Sequence, residues 1–253
     1  VTFEHFNDKI YITPESPLNS GDKFSVAVSY RGTPDNSGFG SFVFESHNDN
    51  PLIWTLSEPY GAHTWFPCKD TPADKVDSSD VWVRADQTFV TVSNGSLVDV
   101  IDHEDGTKTY KWRNHYPIAQ YLISLAMTNY ELYENYYVQG KTDTLKMYHY
   151  NFPENLTESR KRNLDATVGM MEIFSSKFGK YPFMKEKYGH AEFKWGGAME
   201  HQTISSMGAF YNSIVAHELA HQWFGDKITC KDWHHIWLNE GFATYLESVY
   251  LEE

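Results

Sequence analysis

Two histidines four residues apart, with a glutamate behind the first, constrain this chain more than any other stretch: His217-Glu218-Leu219-Ala220-His221. On a helix, positions i and i+4 stand one turn apart on the same face. Both imidazoles can then reach one zinc ion at about 2.0–2.1 Å. Glu218 sits between them, close enough to hold a water without ligating the metal. In the H-E-x-x-H pattern the histidines hold zinc and the glutamate is the general base. A chain with 12 histidines can produce this spacing by accident, and two bare histidines on a buried helix are ordinarily satisfied by hydrogen bonds. The pattern therefore needs support from elsewhere in the chain.

The first support is a third ligand. Zinc hydrolases use three protein ligands and keep a fourth position open. Glu240, in Trp237-Leu238-Asn239-Glu240-Gly241-Phe242-Ala243, follows His221 at a distance that leaves room for a loop and the start of a second helix. It completes a His₂Glu set for one zinc per chain. Glu247 lies two helical turns beyond Glu240 on the same face. It either accepts the second ring N–H of a ligating histidine, fixing its tautomer, or stands as a solvated surface charge.

Two further segments carry a resemblance. Gly196-Gly197-Ala198-Met199-Glu200-His201 precedes the histidine pair, and Ser57-Glu58-Pro59-Tyr60-Gly61 leads into Phe66-Pro67-Cys68-Lys69-Asp70 far upstream. Together with His-Glu-Leu-Ala-His-Gln-Trp-Phe-Gly and Trp-Leu-Asn-Glu-Gly-Phe-Ala, these resemble the aminopeptidase N family of zinc metallopeptidases, in the family's order. The resemblance implies that Gly197, Ala198 and Met199 lie on an edge strand that pairs with substrate backbone. It implies that Glu200 grips the substrate's free α-amine and that Glu58 is its second anchor. Physically, glycines let another backbone approach, and strand addition gives affinity without dictating side chains. One position departs from the family: His201 stands where Asn is usual. Its imidazole either titrates beside the amine-binding carboxylate or points away from it.

Composition bounds the remaining choices. With 41% hydrophobic and 16% aromatic residues, the 253-residue chain can bury a sizeable core. A net charge of −13 argues against nucleic acid or an anionic membrane as partner. No apolar run approaches the roughly 20 residues that span a bilayer, so no transmembrane segment is expected. The opening Val1-Thr2-Phe3-Glu4 is strand-like, with no signal-like segment. Two cysteines, Cys68 and Cys230, cannot form a disulfide framework, and Cys68 reads as a small buried hydrophobe. Asn94-Gly95-Ser96 and Asn155-Leu156-Thr157 fit the glycosylation acceptor pattern.

Residues 1–150 read as an antiparallel β-rich domain. Apolar residues alternate over 23–30, 82–85 and 88–92, and 121–127 also reads as a strand. Turn signals fall at 19–21, 34–38, 94–95 and 105–106. From 151 to 253 the period changes. Asn155 with Glu158 reads as a capping box, and Leu164, Val168, Met171, Phe174 and Phe178 follow at helical spacing, with Gly179 as the stop. Short strands are expected at 188–193 and 202–205, and helices at 212–224 and 236–251. Strands followed by helices suggest an α+β fold. The resemblance implies that the second part is a truncated thermolysin-like zinc peptidase domain, whose β domain began before residue 1.

The function expected is a zinc-dependent aminopeptidase, a metalloprotease that removes N-terminal residues from peptides with a free amine. A non-enzymatic zinc-containing peptide-binding relative and a zinc hydrolase of a non-peptide such as an epoxide are the alternatives. The family supplies its oxyanion donor as a tyrosine well downstream of the third ligand. Tyr245 and Tyr250 are poorly placed for that role, so little activity is expected of this chain alone.

Overall fold

The computed structural model describes every residue except Ser37 and Lys141. It divides into two compact units, Val1–Thr33 and Pro34–Glu253. The expected turn at 34–38 includes Ser37, which lies outside the described residues.

In the first unit, strands β1 (Thr2–Phe6) and β2 (Lys9–Thr13) pair antiparallel, Phe6 opposite Lys9. Asn7 and Asp8 both take positive φ, 51° and 55°, the conformation a two-residue hairpin loop needs to follow the strands' twist. No strand forms over residues 23–30, contrary to the alternation. Alternation prepares one face of a strand, but a strand exists only where a neighbour takes its N–H and C=O groups. Here Phe24, Val26 and Val28 remain exposed.

The second unit opens with seven strands: β3 (Ser41–His47), β4 (Asn50–Leu56), β5 (Ser79–Asp86), β6 (Val90–Ser93), β7 (Ser96–Asp102), β8 (Thr107–Asn114) and β9 (Leu125–Thr128). They form two antiparallel sheets, ordered β3-β4-β9-β6 and β5-β8-β7. Trp54, Trp112, Tyr121, Leu122, Phe193 and Ile204 fill a core against them. The expected strand at 121–127 begins only at Leu125, because Gln120–Leu122 is a 3₁₀ turn that drives Tyr121 and Leu122 fully inside.

The chain continues through β10 (Glu131–Gln139), β11 (Asp143–Asn151), α1 (Glu158–Phe178), β12 (Lys187–Glu192), β13 (Ala198–Met199), β14 (Ser205–Met207), α2 (Asn212–His221) and α3 (Trp237–Leu251). The five strands make one mixed sheet, β10-β11-β12-β14-β13. Residue 150 thus falls within β11, whose sheet begins at Glu131. Leu164, Met171 and Phe174 of α1 pack with Tyr181, Tyr188, Leu219, Trp223 and Leu246 in a second core. The fold is α+β, an antiparallel β-rich part followed by a helix-bearing part.

Three local expectations move by a few residues for visible reasons. Helix α1 is capped by Thr157, whose hydroxyl accepts from Arg160 N at 3.2 Å. Asn155 cannot cap it, because its amide donates to Glu192 Oε1 at 2.8 Å from inside a 3₁₀ turn. Residues 202–204 make a turn instead of a strand, with Thr203 at φ 67°. Helix α2 stops at His221 instead of running to 224, and Gly225 at φ 133° turns the chain back on it.

Candidate active site

Helix α2 carries His217, Glu218 and His221, and helix α3 brings Glu240 and Glu247 alongside it. The short α2 has a chemical consequence. Ending at His221 lets Phe224 turn its carbonyl back to His221 Nδ1, 3.1 Å away. A Cβ on Gly225 would stand 3.0 Å from the same Nδ1, so the turn leaves no room for a side chain there.

The ring tautomers follow. His217 Nδ1 faces Glu247 Oε1 at 2.7 Å, and His221 Nδ1 faces the Phe224 carbonyl. Both partners only accept, so each Nδ1 carries the proton and each Nε2 presents a bare lone pair. These two lone pairs lie 3.0 Å apart, and Glu240 Oε2 lies 3.2 Å from one and 3.6 Å from the other. Three acceptors at such distances repel one another unless a cation sits among them. Three ligands at about 2.0–2.1 Å from a tetrahedral zinc are roughly 3.3 Å apart. The donor set fits zinc in chemistry and in spacing.

Acid groups crowd the same place. One atom each from Glu200, Glu218 and His221 lie within 4.8 Å of one another, as do one each from Glu58, Glu200 and Glu240. Glu218 is buried, and its Oε2 has no hydrogen-bond partner among the described residues. Burial first, then Glu200 and Glu240, pushes its carboxyl well above the usual carboxylate range. Glu58 is pushed up to about 9 by burial, with Glu200 and Glu240 adding to it. Glu200 is pushed up to about 8, by burial and then Glu240. Burial and mutual repulsion thus favour the neutral acids while the site holds no cation, and a metal ion or an ammonium placed among these oxygens would favour their ionised forms.

Strand β13, which holds Ala198 and Met199, is the edge of the five-stranded sheet. Gly197 precedes it, its carbonyl accepting from Gly208 N at 2.9 Å. Glu200 follows it directly. Thus the free sheet edge leads into the carboxylate pocket. His201 is fully buried, its Nδ1 against Ser206 Oγ at 2.8 Å. Burial holds its pKa down at about 3, so the ring is neutral.

Several residues of the site carried little sequence signal. Gln222, fully buried, donates to the Glu200 carbonyl at 3.4 Å and accepts from Thr203 N at 2.8 Å. It ties the end of the histidine helix to the turn that bears Glu200. Tyr121 OH donates to Glu200 and accepts from Asn239 Nδ2 at 3.0 Å. Gln222 and Asn239 adjoin His221 and Glu240 within the quoted motifs, which was their only signal. Tyr121 had none. Tyr245 is 61% exposed, and the Tyr250 hydroxyl accepts from Asn212 at 3.4 Å. Asn94 is buried and donates to the Leu122 and Gln202 carbonyls, so its acceptor pattern serves structure. Both cysteines are free, Cys68 half-buried and Cys230 buried.

A His₂Glu cluster with Glu58, Glu200 and Glu218 gathered beside it, at the end of an edge strand, is the kind of arrangement a zinc peptidase needs. Comparison with known proteins narrows this. Residues 2–122 match the Peptidase M1 N-terminal domain and residues 201–253 the Peptidase family M1 domain. The chain is 27% identical to human endoplasmic reticulum aminopeptidase 1 over 263 residues, which is 96% of this chain and 27% of that protein. It is 28% identical to aminopeptidase N of Haemonchus contortus over 265 residues, covering 96% and 26%. An M1 zinc metallopeptidase of Deinococcus radiodurans, solved as an E323A mutant bound to a Tyr-Ser-Ala substrate, superposes with a TM-score of 0.74. That match is 30% identical and covers 87% of this chain and 51% of the other. The chain belongs to peptidase family M1, a family of zinc metallopeptidases and aminopeptidases, and spans about a quarter of the length of these two aminopeptidases.

Proposed function

We propose that this chain carries the zinc and substrate-amine sites of an aminopeptidase acting on peptides with a free N-terminus. One observation carries the reading: the His217–His221–Glu240 cluster and the Glu58–Glu200 pair converge through the shared Glu240. Zinc held by His217, His221 and Glu240 would supply Lewis-acid chemistry at the scissile carbonyl. Glu247 holds the His217 ring in its ligating tautomer. Glu218 takes a proton from the attacking water and passes it to the leaving amine. Glu58 and Glu200 hold the α-ammonium, so the bond presented for attack is the first one. The backbone of Ala198 and Met199 offers its free edge to the peptide, which orients it without reading side chains. A role in peptide binding alone would leave the buried, unpartnered carboxylate of Glu218 without a use.

The test combines metal content, turnover and the amine requirement. In a chain extended to its relatives' length, aminoacyl-arylamides are expected to be hydrolysed in a chelator-sensitive way, with little turnover from residues 1–253 alone. Glu218→Gln should retain zinc and lose turnover, since an amide accepts no proton from water. Acetylating the substrate amine should weaken binding strongly, because a desolvated carboxylate pair is left without its cation. Equal cleavage of free and acetylated substrates would overturn the amine assignment, and full turnover in Glu218→Gln would overturn the general base.

A further inference from the structure

Glu240 belongs to two clusters. Beside the zinc triad, one ligand atom each of Glu58, Glu200 and Glu240 lie within 4.8 Å of one another. Glu200 is 3% exposed, and its Oε1 finds no hydrogen-bond partner among the described residues. The basic side chains near Glu240 are His217 and His221, whose Nε2 atoms lie 3.2 and 3.6 Å from its Oε2. Among the described residues, no lysine or arginine is paired with any of the three carboxylates. The recess is thus a set of hard oxygens with a buried orphan acceptor and no cation of its own.

We propose that Glu58, Glu200 and Glu240 form a second divalent-cation site, sharing Glu240 with the zinc triad, and that a cation bound there excludes the substrate amine. An all-carboxylate set suits oxygen-seeking ions such as Mn²⁺, Mg²⁺ or Ca²⁺, whereas the imidazole-containing set favours zinc. Charge permits double occupancy. Fully ionised, Glu58, Glu200, Glu218 and Glu240 carry four negative charges, which two dications balance while displacing the protons that burial otherwise keeps there. The cation and the ammonium would compete for the same oxygens, so metal excess becomes an inhibitor that acts at the amine and not at the zinc. The exclusion of the amine rests on the aminopeptidase reading above; the cation site does not.

The experiment uses the chain loaded with one equivalent of zinc and titrated with Mn²⁺, followed by the loss of the free Mn²⁺ electron paramagnetic resonance signal. Zinc outranks manganese at nitrogen-containing sites, so the triad stays filled. One Mn²⁺ is expected to bind. Glu200→Gln should weaken it by at least about tenfold, with zinc retained as evidence that the variant is folded. Glu58→Gln, at a half-buried position, should do the same and covers the case in which the Glu200 variant fails to fold. Failure to bind Mn²⁺, or equal binding in both variants, overturns the site. Leucine amide should displace the bound Mn²⁺, and its acetylated form should not. If Mn²⁺ binds as described but leucine amide leaves it in place, the cation site stands, and the exclusion and the amine assignment fall.

Discussion

The molecule contains two histidine pairs with nearly equal nitrogen separations and opposite chemistry. His217 and His221 bring Nε2 to Nε2 at 3.0 Å, and His149 and His190 bring Nδ1 to Nδ1 at 2.8 Å. The partners of the outer nitrogens make the difference. In the first pair both outer nitrogens meet acceptors, so both inner ones are lone pairs and Glu240 adds a third. In the second, His149 Nε2 meets Asn135 Oδ1 at 3.1 Å, and the Asn135 amide is spent on Leu164 O and Asp165. His149 therefore carries its proton outside, and its Nδ1 accepts the Nδ1–H of His190. That pair is joined by an ordinary hydrogen bond, with both rings fully buried and His190 Nε2 without a hydrogen-bond partner among the described residues. A metal site needs acceptors behind both rings and a third donor in front; proximity of imidazoles is not enough.

The largest effect expected from this contrast is on zinc content. His221→Ala should lose nearly all of the roughly one zinc per chain, while His190→Leu should keep it. Elemental analysis of both variants after dialysis decides the matter. Zinc retained by His221→Ala would mean that the triad is not the ligand set.

Smaller, but still specific, is the contribution of the carboxylate behind His217. Glu247→Gln keeps the shape and removes the charge that holds the proton on Nδ1. Zinc affinity should fall by about 10–100-fold, measured by competition with a chromophoric chelator. Unchanged affinity would make Glu247 a surface charge after all. The third effect falls on stability alone. His190→Leu leaves the His149 Nδ1 lone pair buried and unpaired but also removes the unpartnered His190 Nε2, so the net cost should lie toward the low end of about 1–3 kcal/mol, read from denaturant unfolding of the metal-free protein. No loss would show that the pair contributes nothing to the fold.

Legibility from sequence divides along the same line. The histidine pair could be read because its members stand one turn apart on one helix, and helices carry their geometry in the sequence; Glu240, on the next helix, was expected because zinc hydrolases need a third ligand. Glu58 and Glu200 were readable only through a resemblance, since spacing says nothing about segments that meet through tertiary packing. Gln222 and Tyr121 act through the Glu200 turn, whose form depends on Thr203 at φ 67°, and no local pattern announces that conformation. The unformed strand at 23–30 failed for the converse reason: alternation was present and a partner was not. His149 and His190 lie on adjacent parallel strands, paired in register, which nothing in their separation along the chain reveals.

The smallest effect is on acid sensitivity, and its sign is fixed. Burial holds the His149 ring down at about 3, a little offset by Asp165. His190 is held well below its ordinary 6.5, by burial first and then by His149 and Arg160. Arg160 lies over Phe210, whose ring packs against His190, so the nearest cation opposes protonation. Both folded pKa values are depressed, so the unfolded chain binds these protons first as pH falls. Stability from the neutral pair is complete above about 6.5 and is lost progressively as pH falls toward 3, at no more than about 1.4 kcal/mol per pH unit for each ring. In metal-free protein the zinc ligands titrate alike in wild type and His190→Leu, so they cancel in the comparison. The variant should then show a shallower loss of stability between pH 6 and pH 4, by up to about 1.4 kcal/mol per unit, and the two curves should converge as the wild type loses its advantage. Unfolding curves at matched pH values measure this directly. Parallel curves would mean that the His190 ring is protonated as readily in the folded chain as in the unfolded one, and the contrast between a hydrogen-bonded neutral pair and a metal-seeking pair would lose its second half.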